Sequence, residues 1–101
     1  METVEIIRAE QGDWCVAGEL SLGSVPAAQR VAAGELLTSP GPWHIDLARV
    51  ARSDSAGLAL LVEWVREARE RGIDVGFRHM PEQMRAMARV SGLEDILPLL
   101  D

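Results

Sequence analysis

Between residues 58 and 71 the apolar side chains Leu58, Leu61, Val62 and Val65 recur at the spacing of one helical face, while Glu63, Arg66 and Glu70 fall on the opposite side. This amphipathic helix is preceded by residues 43–47, a short apolar run broken only by His44 and Asp46, which has the pattern of a central strand. A strand that feeds such a helix must lay the helix's apolar stripe back over a sheet, so the pair commits the chain to an α/β architecture with parallel crossovers.

The remaining elements fit around that unit. Residues 3–9 and 14–20 read as two strands joined by a turn at 11–13, an opening hairpin. Ser24 is placed to cap a first helix over 25–37, with Pro26 in its first turn and Val25, Ala28, Ala32 and Leu36 at helical spacing. Pro40, Gly41 and Pro42 end it. After the central helix, Gly72 supplies a stop, residues 73–77 form a fourth strand, and Pro81 opens a third helix that carries Met84, Met87 and Ala88 inward until Gly92. A short tail, 94–99, closes the chain. The expectation is one domain over residues 1–101, with a four-stranded mixed sheet and three helices packed on it.

Composition narrows the function. The formal net charge is −6, and all ten basic residues are arginines scattered along the chain. No polybasic tract is present to neutralise a phosphate backbone or an anionic lipid surface, which argues against nucleic acid as a partner. No apolar stretch approaches the roughly 18 residues of a membrane span, so direct membrane insertion is not expected. The segment 1–12 carries three acidic residues and matches no signal peptide. Cys15 is the single cysteine, excluding an internal disulfide; a buried, inert thiol in a reducing cytoplasm is expected.

The stretch 44–60, HIDLARVARSDSAGLAL, resembles the signature of the STAS family. That family includes bacterial anti-sigma factor antagonists, sulfate-transporter tails and the small STAS subunit of Mla-type phospholipid ABC transporters. The hairpin, the helix order and the closing Val90-Ser91-Gly92-Leu93 fit as well. The resemblance implies a STAS fold and a non-catalytic module that works by docking onto another protein, without a cofactor. In the antagonists the loop usually reads Asp-Ser-Ser-Gly, and the second hydroxyl receives a phosphate from a partner kinase. Here that position is Ala56, and the first hydroxyl is retained as Ser55. Ser55 is similar to the Thr that precedes Gly-Gly in the Mla-type subunit, at its contact with the ATPase. The resemblance thus favours a cytoplasmic transporter subunit, peripheral to the inner membrane, that binds the ATPase of a complex also containing a permease. An anti-sigma factor antagonist with Ser55 as a displaced phosphoacceptor is the alternative.

The partner-binding residues expected on this reading are Asp54, Ser55, Ala56, Gly57, Leu60 and Trp64. The first turn of a helix has unpaired N–H groups, which Asp54 or Ser53 can cap, and Gly57 lets another surface approach the backbone. On a helical wheel, Leu60 and Trp64 fall away from the Leu58–Leu61–Val62–Val65 stripe and near Glu67 and Arg71. They are therefore expected to point outward as anchors, through which an isolated domain could also pair with a second copy; the alternative is that Trp64 lies on a neighbouring helix and completes the core. Asp46 is expected to structure the turn at the end of its strand. His44 and His79, far apart and with one unassociated cysteine, give no zinc spacing and read as polar strand-edge residues. Trp14 and Trp43 read as packing residues, Met80, Met84 and Met87 as core, and Arg85 with Arg89 as a small basic stripe.

Overall fold

A computed structural model describes residues 4–9 and 13–100. Strands β1 (Val4–Arg8), β2 (Trp14–Leu20), β3 (Trp43–Ser53) and β4 (Val75–Arg78) form one sheet in that spatial order. β1 and β2 are antiparallel, and β2–β3 and β3–β4 are parallel. Helix α1 (Val25–Gly34) and a 3₁₀ turn (Leu36–Thr38) connect β2 to β3, α2 (Ser55–Glu70) connects β3 to β4, and α3 (Glu82–Val90) follows. Both crossovers step the same way across the sheet, so right-handed connections put α1 and α2 on one face. Alternation along the strands agrees. Trp14, Val16, Leu20, Trp43, Ile45, Leu47 and Phe77 are buried under the helices, whereas Cys15, Ala17, His44 and Asp46 are only half-buried on the open face.

Several boundaries differ from the sequence expectation. α1 ends at Gly34, where Glu35 leaves helical geometry (φ −129°, ψ −72°), and the expected last turn becomes 3₁₀. Ser24 makes no side-chain cap; its hydroxyl donates to the Glu19 carbonyl (2.5 Å) and accepts from the Ser21 N–H (2.9 Å), fastening the loop instead. β3 runs six residues past Leu47, to Ser53, because Ala17, Gly18, Glu19 and Leu20 of β2 remain available as partners for Arg49, Val50, Arg52 and Ser53. Two register shifts along this pairing absorb the extra residues. β4 starts at Val75 rather than at Ile73.

The expected turn at 11–13 lies largely outside the described residues, as does Thr3 of the first strand. At the far edge the tail pairs with β4, the Phe77 N–H donating to the Pro98 carbonyl and the Leu100 N–H to the Phe77 carbonyl, both at 2.8 Å. Cys15 is half-buried on the open face rather than enclosed in the core, since its register partners Ile7 and Asp46 share that side.

Candidate functional site

The C-terminal ends of β2 and β3 hold two loops side by side, and Asp54 joins them. Its N–H donates to the Leu20 carbonyl (3.1 Å), which fixes the residue against the end of β2. Its carboxylate then accepts from the N–H groups of Ala56 (2.9 Å) and Gly57 (3.3 Å), the N-cap of α2. The other carboxylate oxygen accepts from the N–H of Leu22 (3.0 Å), across thirty-two positions of sequence. These donors hold the Asp54 carboxyl below its ordinary 3.8, the Leu22 N–H contributing most and partial burial opposing it. Ser53 does not cap; its hydroxyl donates to the Asp54 carbonyl (3.2 Å).

Ser55 is the first residue of α2 and is exposed, with half-buried Ala56 after it. Continuing along the helix, Ala59, Glu63 and Arg66 are exposed and Val62 half-buried, so small side chains open the solvent face of α2 and charged ones continue it. Gly57 is buried, and a Cβ there would lie 2.2 Å from the Leu20 carbonyl oxygen. The absent side chain therefore serves the domain's own close contact between α2 and β2, not the approach of another protein.

Leu60 and Trp64 do not point outward. They are 3 % and 2 % exposed, and with Leu61, Val65 and Ala68 they form the enclosed seam of α2. The helical wheel was centred too far toward Val62, because α2 is covered by three neighbours, the sheet, α1 and α3, and its buried arc is correspondingly wide. Both side chains border a groove of about 290 Å³ shared with Gln29, Leu37, Glu63 and Glu67, yet almost none of their own surface reaches water. They offer no anchor to a partner or to a second copy.

Asp46 lies within β3 rather than at its end. Its carboxylate accepts from the Ala48 N–H (2.8 Å) and faces His79 Nδ1 (3.2 Å), linking the irregular part of β3 to the residue that follows β4. On the same open face, Asp13 lies 3.7 Å from His44 and 3.4 Å from Arg78. Both histidines thus belong to acid–base pairs across the sheet, which sequence spacing gave no means of finding. Met80 and Met84 are in the core as expected and Met87 is half-buried. The Arg85–Arg89 stripe is not a free basic surface, because Arg89 pairs with Glu94 (3.0 Å) and Arg85 is half-buried. Among the described residues no helix is long and apolar enough to cross a membrane.

The chain belongs to the STAS family: the family model described as "Mlab, STAS domain" matches residues 10–100. No curated protein matches it in sequence. Among solved structures it is similar to a Thermotoga maritima protein assigned as an anti-sigma factor antagonist (16% identity, TM-score 0.76, covering 100% of this chain and 86% of that one). It is also similar to the anti-sigma factor antagonist SpoIIAA in its unphosphorylated form (14% identity, TM-score 0.67, 98% and 88% covered). A third likeness is to SLC26A9 (15% identity, TM-score 0.64), where 82% of this chain matches only 16% of that much longer one. At these identities the similarity concerns the fold, and the four-stranded mixed sheet with three helices agrees with the expectation from sequence.

Proposed function

We propose that this chain is the non-catalytic, cytoplasmic STAS subunit of an ABC transporter that moves phospholipids between membranes, and that it docks onto the ATPase subunit through the turn that opens α2. Supporting this reading, the family description names the Mla-type domain, and Ser55 stands exposed at the first position of the helix. Ala56, at the position where antagonists carry their phosphorylated hydroxyl, has none to offer. The hydrolysis of ATP belongs to the partner. This chain's contribution is a rigid protein surface that stabilises or biases the ATPase from the cytoplasmic side of the inner membrane.

The alternative, an anti-sigma factor antagonist with Ser55 as phosphoacceptor, draws support from the fold neighbours of that class. Co-expression with the ATPase subunit of an Mla-type transporter separates the two. A stable complex that Ser55→Glu abolishes supports the transporter subunit. Phosphoserine at Ser55 after incubation with an anti-sigma kinase and ATP, with no ATPase complex, supports the antagonist.

A further inference from the structure

The loop between β2 and α1 lies against the Ser55 turn and presents Leu22, which is 77% exposed. A solitary exposed leucine needs no explanation in general. This one is distinguished by how firmly its backbone is held. Its N–H is bound by Asp54, and the neighbouring Ser24 hydroxyl bridges Ser21 and Glu19. An apolar side chain on a fastened loop loses little further freedom on binding, which is the property of an interface anchor. Val90 is still more exposed, at 89%, but it ends α3 and has no comparable fastening to the Ser55 turn.

The charges nearby point to the kind of partner. Arg66, Arg71, Arg78 and Arg89 each have a carboxylate within 4.0 Å. Arg49 and Arg52, exposed in the half of β3 that leads to Asp54, have no such ion pair among the described residues; Arg8, Arg30, Arg69 and Arg85, which have none either, lie outside β3. Arg52 is level with Glu19 across the strands, and no ion pair joins them. In a chain of net charge −6, Arg52, one position before the Ser53–Leu20 pair that leads into the Leu22 loop, and Arg49 further back along the strand complement an acidic rim.

We propose that Leu22 is the apolar anchor of the Ser55 docking surface, and that Arg52 and Arg49 select a partner protein whose receiving pocket is edged with carboxylates. This rests on the ATPase reading above and adds to it the residues that set affinity and specificity. The test is binding of the purified ATPase subunit to the full chain by biolayer interferometry at several salt concentrations. Leu22→Ser is expected to weaken binding by about 10-fold or more, with Leu22→Met close to the wild type. Arg49→Glu combined with Arg52→Glu is expected to weaken it by a similar factor of about 10 at low salt and to remove most of its salt dependence. Val90→Ser is expected to bind as the wild type does.

Thermal melting of each variant verifies the fold. Leu22→Ser and the double charge reversal both binding within about twofold of the wild type would overturn the proposal. If Ser55→Glu alone then lost binding, the functional reading would stand without this refinement. A wild-type chain that does not bind the ATPase would remove both.

Discussion

The two sides of α2 illustrate how one helix divides its work. Along one side, Leu60, Leu61, Trp64, Val65 and Ala68 are enclosed between the sheet and the flanking helices. Along the other, Ser55, Ala59 and Arg66 face water, and the first of them lies beside the fastened loop that carries Leu22. The enclosed seam contains the large apolar side chains, and the exposed strip opens on small ones before Glu63 and Arg66. Burial energy therefore resides in the seam, and the surface proposed for docking, Leu22 included, is already held in place by the hydrogen bonds of Asp54. On the proposed reading, docking there is controlled by a few residues whose loss barely affects folding, whereas the seam residues govern folding and affect docking only through it.

That division can be broken most sharply at Trp64. Trp64→Ala is expected to cost about 3–5 kcal/mol in urea unfolding, a large part of the stability of a domain this size. Partner binding by whatever fraction remains folded should be unchanged, and a loss of binding with full stability would return Trp64 to the interface. Gly57→Ala comes next. The added Cβ collides first with the Leu20 carbonyl oxygen, a backbone atom that cannot swing aside, so a loss of about 1–3 kcal/mol and a clear fall in melting temperature are expected.

Asp54 sits on the border between the two regions, and Asp54→Ala should lower stability by about 1 kcal/mol through loss of the cap. It should also release Leu22, so that partner binding falls more than stability does. The pH dependence follows from the depressed carboxyl. A group whose folded value lies below its unfolded one contributes stability that is complete above the unfolded value and lost as pH falls through the folded one. The stability advantage of the wild type over Asp54→Ala is therefore expected to be full near neutrality and to shrink as pH falls below 3.8. An advantage that persists undiminished in denaturant titrations down to pH 2 would contradict this account.

The smallest effect on folding is expected at Ser55. A negative side chain at the first position of α2 is tolerated by the helix dipole, so Ser55→Glu should change stability by less than about 0.5 kcal/mol while removing the ATPase complex in a pull-down.

The order of elements and their type were legible because they depend on periodicity and punctuation: the stripe from Leu58 to Val65, the prolines at 40 and 42, and Gly72 and Gly92 after their helices. Gly72 and Gly92 both have positive φ, 67° and 72°, as expected for residues that stop a helix. The Asp54 cap was identifiable too, since capping is local chemistry.

Which way Leu60 and Trp64 faced was decided by the tertiary structure, for a wheel records the relative angles of side chains and not how many neighbours surround the helix. The length of β3 was settled in the same way, by the free partners that β2 offered to Arg49 through Ser53. So was the bond from Leu22 to Asp54, which joins residues thirty-two apart. Sequence alone determined what each segment could become, because those preferences act over a few residues. Only packing determined which surface remained open, because that depends on contacts between segments that the chain brings together when it folds.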